Sequence, residues 1–426
     1  MTRSRLSIKF LGTVLAGTAA VLALPPAAQA TNGYFSHGYG MKNKGMAGAG
    51  TTNTHDAFGG ANNPATMVWA GNRLELGLDW FSPQRKAQRT GSAPGGAFDL
   101  SVESDSTNFF IPEAGFNRML SPTLSAGVTI YGNGGMNTDY KGGQINCGAG
   151  PANALCGGGE LGVDLAQIVI APTLAWKFHE RHSVGVSPLF GYQRFRAKGL
   201  SGFSGMSSSP NDLTNRGYDT ASGWGVRVGY LGRLTEQLTV GAAYSSKIDM
   251  SKFDKYRGLF AEQGDFDIPE NWSVGLGFAV TPQLSVAFDY QVIKYSDVAS
   301  VGNPSTNTAL LGTSGGPGFG WRDINVYKLG VQWRESDRLT LRAGYNHGDN
   351  PIRSRDVTFN IVAPGLIDDN VTLGATWTLD GGSEVTVAYM HAFKKSVTGS
   401  STMPFGGNEK IEMYQNSLGV AWGTSF

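Results

Sequence analysis

Charged side chains are scarce in this chain, since they make up 16% of its 426 residues against about 25% in typical soluble domains. Positive charge is not in excess either. The formal net charge is +1, and it becomes −2 once Arg3, Arg5 and Lys9 are left out with the amino-terminal segment discussed next. A chain without a basic excess has no electrostatic footprint for nucleic acid, so we expect no nucleic acid partner.

Long apolar runs are missing after the first 30 residues. The chain begins with three basic residues and the apolar run from Phe10 to Leu24. Ala28-Gln29-Ala30 then follows, a small-residue pattern typical of signal-peptide cleavage. We predict that residues 1–30 are a signal peptide and that the mature chain begins at Thr31. No later apolar run approaches the ~18 residues of a membrane helix, so the exported chain is either soluble or a membrane β-barrel.

Cysteine is almost absent, with Cys147 and Cys156 the only two. Outside the cytosol a closely spaced pair favours a disulfide that closes a small loop. A metal site would need further ligands, and no histidine or acidic residue lies between the two cysteines. We predict a disulfide here, and we expect no metal and no other cofactor.

Glycine, by contrast, is abundant, with 61 residues, about twice the usual share. From Arg73 onward the dominant pattern is alternation with a period of two, which is typical of β-strands. In "RLELGLDW" and in "WSVGLGFAV" one face is bulky and apolar, and the other is small or polar. A soluble sandwich would turn its bulky face inward. Aromatics at the ends of the bulky faces favour lipid outside and a wet lumen inside.

Short and long connections alternate along the chain. Six short turns and seven long loops would join fourteen strands, which is typical of a barrel with short periplasmic turns and long outer loops. The predicted turns lie at 119–123, 179–183, 235–237, 281–283, 335–338 and 380–383, and the loops near 90–108, 132–162, 199–222, 251–267, 298–322, 347–369 and 398–411.

We therefore predict an all-β fold, a 14-stranded antiparallel transmembrane β-barrel over residues 73–426, in the outer membrane of a Gram-negative cell. The chain ends on an alternating strand with the aromatic residue Phe426. Such an end resembles the signal that the barrel assembly machinery recognises. That machinery, outer-membrane lipid and lipopolysaccharide are the expected partners.

Residues 31–72 precede the first strand and show no spanning alternation. Their glycine-rich start, "TNGYFSHGYGMKNKGMAGAG", is too flexible to form an independent domain. A barrel of fourteen strands lies between small filled barrels and open porins, so its lumen would leak unless something occupied it. We predict that residues 31–72 form a hatch inside the barrel.

This glycine-rich segment, the following Asn63-Pro64-Ala65 and the fourteen strands together resemble the FadL/TodX family of outer-membrane transporters for long-chain fatty acids and hydrocarbons. The resemblance implies a hatch that plugs the barrel, a capture groove among the outer loops and an apolar pocket in the lumen. It also implies a kink in the third strand that opens a side exit into the membrane. The expected function is passive uptake of hydrophobic compounds, most of all long-chain fatty acids, by a monomer. Aromatic hydrocarbon uptake, a general porin and a surface adhesin are the alternatives. No catalytic set of residues can be assembled, so we predict that the chain is not an enzyme.

The loop 251–267 carries the predicted capture groove. Phe253, Tyr256 and Phe260 have the spacing of one face of a short helix, and Leu259 lies beside them. The interleaved bases Lys252, Lys255 and Arg257 would attract a carboxylate. The same aromatics would equally serve to pack the loop against its neighbours. Weaker candidates in the neighbouring long loop are Phe195, Leu200, Phe203 and Met206.

Alternation assigns several charged residues to the lumen. One base near an apolar pocket would hold a fatty-acid carboxylate through a charge-assisted hydrogen bond, and Lys328 is the best candidate because it lies near mid-height. The alternative is that lumen charges pair with one another. The assigned residues are Arg227, Lys247, Lys328, Arg342, Glu75, Asp79 and Glu113.

Arg194 and Arg196 fall on the outer face near the rim, where they would contact anionic lipid headgroups. A bulge in their strand would reverse that assignment.

Two glycine-rich or proline-containing stretches are candidates for gating. The third predicted strand reaches Gly132, Gly134 and Gly135, where the backbone can bend and give up hydrogen bonds. These glycines are either the kink of a lateral opening or the start of a loop. In the hatch, Pro64 fixes its own φ and pushes Asn63 away from helical geometry, so Asn63, Pro64 and Ala65 are the predicted hinge region.

Overall fold

The computed structural model describes residues 32–148 and 150–426. The predicted signal peptide, residues 1–30, lies outside the described residues. The described chain contains fourteen long strands, named here first to fourteenth in chain order. They are Arg73–Thr90, Phe109–Ser121, Leu124–Tyr140, Leu161–His179, His182–Lys198, Asp219–Arg233, Leu238–Ser245, Asn271–Ala279, Leu284–Ile293, Ile324–Arg334, Leu339–Gly348, Asp369–Thr378, Ser383–Ser400 and Asn408–Ser425.

The loops and the amino-terminal segment contain short strands and helices. The short strands Ile145–Asn146 and Pro151–Ala152 pair with each other in a loop, whereas Leu100–Glu103 pairs with the first strand and Asp249–Met250 with the sixth. The helices are Met41–Lys44, Pro64–Thr66, Met67–Ala70, Ser201–Met206, Pro210–Asp212, Asp254–Tyr256, Ala261–Gly264, Tyr295–Asp297, Ala299–Gly302, Ser354–Asp356 and Phe359–Ile361. None of the helices in the described parts of the chain has the length and apolar character needed to cross a membrane.

The fourteen strands close into an antiparallel barrel. Each pairs with the next strand in the chain. The first and fourteenth strands also pair, from Arg73 opposite Ser425 to Thr90 opposite Asn408. The predicted fold and strand number are therefore confirmed.

The outside of the barrel is apolar and carries two belts of exposed aromatic side chains, as expected for a wall in lipid. The alternation of the first strand is confirmed, because Leu76, Leu78 and Trp80 are exposed while Glu75 and Asp79 are buried inside. The outer belt includes Trp80, Phe110, Tyr192, Trp224, Tyr244, Tyr327, Tyr345, Tyr389 and Tyr414. The periplasmic belt includes Trp176, Phe178, Phe278, Trp333, Trp377, Trp422 and Phe426.

Alternation placed most inward and outward side chains correctly and failed where regular pairing stops. Arg194 and Arg196 are on the outer face, on either side of the buried Phe195. The loop position predicted for Phe195 is wrong, since this residue belongs to the fifth strand. The lumen position predicted for Lys247 is also wrong. Its strand ends at Ser245, and the Lys247 side chain is exposed and ion-paired with Asp267.

Residues 32–72, called here the inner segment, lie within the barrel. Their backbone approaches lumen-facing glycines on several strands so closely that a side chain would not fit. A Cβ atom at Gly115 or at Gly241 would lie 2.6 Å from a carbonyl oxygen of the inner segment, and one at Gly229 would lie 2.0 Å from Asn63 Oδ1. Glycine on the lumen face therefore makes room for the segment.

Ion pairs join the inner segment to the wall. Lys44 contacts Asp79 at 2.7 Å and Glu113 at 3.5 Å, and Lys42 contacts Glu384 at 2.6 Å. The predicted acidic lumen residues thus pair with lysines of the inner segment rather than with the lumen bases. Such buried pairs fix position, because removing one partner leaves an uncompensated buried charge.

Candidate functional site

Four aromatic rings meet where the fifth strand enters the outer loops. Phe195 is at the centre, with ring centroids 5.6 Å from Phe253, 4.8 Å from Tyr256 and 4.6 Å from Phe260. The prediction that Phe253, Tyr256 and Phe260 share one helical face is wrong in detail. A short helix, Asp254–Tyr256, ends before Phe260, and the next turn is kinked by positive φ angles. The three rings converge because the loop folds over the buried Phe195.

An apolar cavity, called here the outer pocket, opens beside this cluster. It encloses about 430 Å³ of empty space, which includes its mouth. Five predicted residues line it, whereas Phe253, Tyr256 and Met206 lie outside the lining. The lining consists of Leu155, Val163, Phe195, Leu200, Phe203, Leu259, Phe260, Leu311, Phe319, Phe359 and Val362.

The bases of loop 251–267 do not reach the outer pocket. The side chain of Lys252 donates to the carbonyl oxygen of Glu262, and that of Lys255 donates to the carbonyl oxygen of Tyr218. Arg257 forms an ion pair with Asp212 at 2.8 Å. All three are on the exposed side of the loop, so the predicted attraction of a carboxylate into this pocket has no support from their positions.

Aromatic contacts lead from the outer pocket into the barrel. The ring of Phe260 is 4.8 Å from Phe266, which is 6.0 Å from Tyr34 of the inner segment. Tyr34 is 5.5 Å from Phe35. We call these four residues the aromatic path. The hydroxyl of Tyr295 fixes its inner end by accepting from the backbone N–H groups of Tyr34 and Phe35 at 3.1 and 3.2 Å.

Phe35 also borders a second cavity, the inner pocket, which has about 480 Å³ of empty space and contains Lys328, Arg227 and Asp289 in its lining. Lys328 lies directly opposite Asp289 in the register of the tenth and ninth strands. The Asp289 carboxylate accepts from the N–H groups of Gly50 and Thr51 at 2.8 and 2.9 Å. Within the described chain, Lys328 has neither a hydrogen bond nor an ion pair, so its buried amine faces the pocket without a direct partner.

Arg227 and Arg342, the two arginines predicted to face the lumen, form hydrogen bonds with other residues of the protein. Arg227 donates to the carbonyl oxygens of Gly60 and Ala61 in the inner segment. Arg342 donates to Gln332 at 2.8 Å and to Thr376 at 2.6 Å.

The barrel wall is interrupted between the second and third strands. Their pairing ends at Ala114 opposite Ile130, although the third strand continues to Tyr140 and remains paired with the fourth. A bulge lies between Gly132 and Gly134, so the alternative that these glycines begin a loop is wrong. We call the opening beside the third-strand edge from Tyr131 to Thr138, where the second strand no longer pairs, the wall gap.

The inner segment covers part of this gap. The N–H of Ser36 donates to the carbonyl oxygen of Asn133 at 3.1 Å, and the N–H of Gly135 donates to that of Tyr34 at 3.0 Å. A Cβ atom at Gly134 would lie 1.8 Å from the Tyr34 oxygen. Only glycine therefore permits this contact, and the end of the aromatic path lies against the gap.

The Asn63-Pro64-Ala65 turn anchors the other end of the inner segment. The Asn63 side-chain oxygen accepts from the N–H of Ala65 at 3.1 Å. Its side-chain NH₂ donates to the carbonyl oxygen of Thr51 at 2.8 Å and to the carbonyl oxygen of Tyr230 at 2.9 Å. Asn63 has extended geometry and Pro64 begins a short helix, the position that proline favours. The turn is thus fastened to the sixth strand through one side chain.

Residues 21–422 match the family of outer membrane protein transport proteins, OMPP1/FadL/TodX. The chain belongs to this family. It is accordingly an outer-membrane channel that transports hydrophobic compounds.

Solved structures of other members share the fold of this FadL/TodX protein. The Pseudomonas putida toluene transporter TodX has a TM-score of 0.68 and 19% identity, over 93% of this chain and 100% of that chain. A Pseudomonas aeruginosa FadL homologue has a TM-score of 0.69 and 15% identity, over 92% and 100%. The Ralstonia pickettii toluene transporter TbuX has a TM-score of 0.63 and 18% identity, over 92% and 99%. No curated protein matches the chain.

The two cysteines of this FadL/TodX protein are joined in an outer loop. Cys147 and Cys156 are disulfide-bonded, with their Cα atoms 5.7 Å apart. Leu155, next to Cys156, lines the outer pocket. The bond therefore restrains the part of the loop that supplies one pocket wall.

Sequence reasoning missed several residues of the path. Tyr34 and Phe35 stand out only as an aromatic pair within a glycine-rich stretch, and Phe266 and Tyr295 carry no local signal. Pro112 was a usable clue, because a proline in a strand has no N–H for a neighbour and favours an unpaired edge. It lies in the part of the second strand that faces the gap.

Proposed function

We propose that this channel takes up long-chain fatty acids by passive diffusion, from capture at the outer pocket through the aromatic path to lateral exit at the wall gap. The aromatic path is the observation that carries the proposal. An apolar solute gains nothing from a water-filled pore. Along a row of apolar side chains, each new contact gains about 25 cal/mol per Å² of apolar surface buried, which offsets the free energy lost when the solute leaves the previous contact.

The inner segment acts as the hatch in this proposal, with residues 31–72 as one unit and the barrel, residues 73–426, as the other. Tyr34 and Phe35 belong both to the aromatic path and to the contact that covers the wall gap. A ligand that displaces this end of the hatch would uncover the gap beside its own binding position. Asn63, Pro64 and Ala65 hold the distant end in place while this happens.

The inner pocket supports an acid as the substrate. Lys328 is buried and has no direct partner in the described chain, and the inner pocket that it lines also contains Phe35. A carboxylate there would supply the charge-assisted hydrogen bond that the lysine lacks, while the acyl chain would contact the aromatic rings.

Aromatic hydrocarbon uptake is the second candidate. It is favoured by the outer pocket, whose lining carries only apolar side chains and gives no preference for an acid. The structural relatives TodX and TbuX are toluene transporters.

Uptake of radiolabelled oleate and toluene by cells that express the protein would separate the candidates. The variant Lys328→Met should reduce oleate uptake about tenfold, the effect of losing one charge-assisted bond, and should leave toluene uptake unchanged. Lys252→Met, which removes an exposed base, is the matched control. Oleate uptake that does not depend on the protein would overturn the proposal. Large steady ion conductance in planar bilayers would instead favour a general porin.

A further inference from the structure

Arg85 crosses the upper end of the wall gap from the inside. It lies on the first strand, beyond Phe81 opposite Phe109, where regular pairing with the second strand ends. Its side chain is buried, with Nη1 donating to the carbonyl oxygen of Asn137 at 2.6 Å and Nη2 donating to Ser104 Oγ at 3.4 Å. Asn137 belongs to the unpaired edge of the third strand. Arg85 therefore spans from one side of the gap to the other.

The Arg85 guanidinium has no acidic partner. No Asp or Glu in residues 32–148 or 150–426 lies within ion-pair distance of it, and its Nε is buried without a hydrogen-bond acceptor. Arg89, the next inward arginine on the same strand, is by contrast ion-paired with Glu409, whose carboxylate accepts from Arg89 Nε at 2.9 Å. A buried cation without an ion-paired anion is costly, and the Phe109 ring, whose centroid is 5.7 Å from the Arg85 Cζ, offsets only part of that cost.

The surroundings of Arg85 are apolar on one side and polar on the other. On the lumen side it borders a narrow cavity of about 280 Å³ of empty space, lined in part by Phe81, Met136 and Met413. On the other side it borders a polar depression lined in part by Lys86 and Glu103. The guanidinium thus lies at the boundary between the apolar gap and a polar surface.

The height of Arg85 matches the membrane interface. The preceding residue, Gln84, is opposite Tyr414, which is exposed in the outer aromatic belt. Aromatic belts mark the headgroup level of a membrane barrel. A carboxylate at Arg85 would lie at this level, and a chain descending along the wall gap toward Ile130 would lie in hydrocarbon.

We propose that Arg85 is a carboxylate-binding site at the exit, which holds the head of a long-chain carboxylic acid while its tail enters the membrane through the wall gap. The inference rests on the proposed function and adds a second binding position, separate from Lys328. A carboxylate can accept two bonds from one guanidinium, here from the free Nε and the weakly bonded Nη2. The site orients the acid so that its tail leaves first.

Paired measurements with an acid and its neutral analogue test the site. Binding of oleate and of oleyl alcohol to the purified protein, and uptake of both by cells, would be compared for wild type, Arg85→Gln, Arg85→Lys and Arg338→Gln. Glutamine keeps a donor for the Asn137 oxygen but removes the charge. We expect Arg85→Gln to weaken oleate binding about tenfold with oleyl alcohol unchanged, and Arg85→Lys to restore most of the affinity. Arg338→Gln, which removes an exposed guanidinium from a turn at the other end of the barrel, should match wild type.

Two outcomes would overturn the inference alone. Unchanged oleate binding in Arg85→Gln would mean that the guanidinium holds no acid. An equal loss for oleate and oleyl alcohol, not restored by lysine, would mean that Arg85 only fastens the wall to the third strand. Uptake of neither lipid by wild-type cells would overturn the proposed function itself, and the inference with it. Migration of the unheated protein on gels would show that each variant forms the barrel.

Discussion

The N–H of Gly135 donates to the carbonyl oxygen of Tyr34 at 3.0 Å, so the start of the inner segment pairs with the free edge of the third strand. The edge that the second strand leaves unpaired is thereby partly satisfied from within the barrel. An unpaired strand edge in lipid is unfavourable, because its polar groups have no water to bond with. The cover over the wall gap and the end of the aromatic path are thus the same few residues.

Replacing Gly134 by valine should separate the inner segment from the gap. Any Cβ at this position would lie 1.8 Å from the Tyr34 oxygen, and no flexible side chain is there to move aside. We expect faster hydrogen exchange at residues 33–36 and faster uptake of a neutral hydrophobic dye, with the barrel intact. Gly205→Val is the control, since no atom lies within 4 Å of its added Cβ. Unchanged exchange would contradict the close contact.

Replacing Asn63 by alanine should loosen the opposite end of the inner segment. The change removes three hydrogen bonds, and it leaves the carbonyl oxygens of Thr51 and Tyr230 without this donor. Each buried group left unsatisfied costs about 1–3 kcal/mol. We expect faster exchange around residues 51–66 and lower uptake in a barrel that still resists heat in gels.

Asn53→Ala is the matched control for this change, because the Asn53 side chain bonds Asn43, Asp56 and His55 of the inner segment and no barrel residue among those that the structure describes. If both variants transported equally, the anchoring role of Asn63 would be wrong.

Replacing Phe260 by alanine should impair capture of every ligand, charged or neutral. Its ring contacts both Phe195 and Phe266 and joins the outer pocket to the aromatic path. Truncation removes apolar contact area from the pocket, at about 25 cal/mol per Å², so equilibrium binding of oleate and of toluene should both weaken about tenfold. Phe98→Ala removes a stacked ring from another outer loop and should leave binding intact. A loss confined to oleate would place the defect elsewhere.

Removing the disulfide with serine at Cys147 and Cys156 should weaken ligand binding without unfolding the barrel. The bond restrains the loop that places Leu155 in the outer pocket. A disulfide that closes a short loop stabilises the folded chain by about 2–4 kcal/mol. We expect oleate binding to fall several-fold in the serine variant and in reduced wild type alike. Equal binding before and after reduction would show that the pocket wall is stable without the bond.

The outer loop should become less stable as the pH rises toward neutrality. Burial, and next the nearby Asp267 carboxylate, raise the pKa of Asp265 to about 6. Because the folded loop binds this proton more tightly, the stabilising effect is complete below pH ~4 and is lost as the pH rises through about 6. Hydrogen exchange in residues 251–267 should therefore be faster at pH 7.5 than at pH 5, after correction for intrinsic rates.

Asp265→Asn should remove this difference. A pH dependence that persists in the variant would assign the effect to another group.

The sequence by itself determined the barrel, its fourteen strands and its inward and outward faces. A period of two is a local property, and lipid on one side of the wall enforces it at each residue, so Leu76 and Glu75 could be assigned without any partner. Local chemistry also indicated the Cys147–Cys156 pair and the extended geometry of Asn63 before proline.

Only the tertiary structure decided which residues meet across the lumen. Phe195 and Phe260 are 65 positions apart in the chain, and Tyr34 and Gly135 are 101 apart, yet each pair is in contact. The bases of loop 251–267 turned outward because exposed carbonyls and Asp212 bind them, which no spacing indicates. Arg85 looks in the sequence like any inward arginine on a strand. Its lack of an acidic partner, against the pairing of Arg89 with Glu409, follows from where the second strand stops pairing and the wall opens.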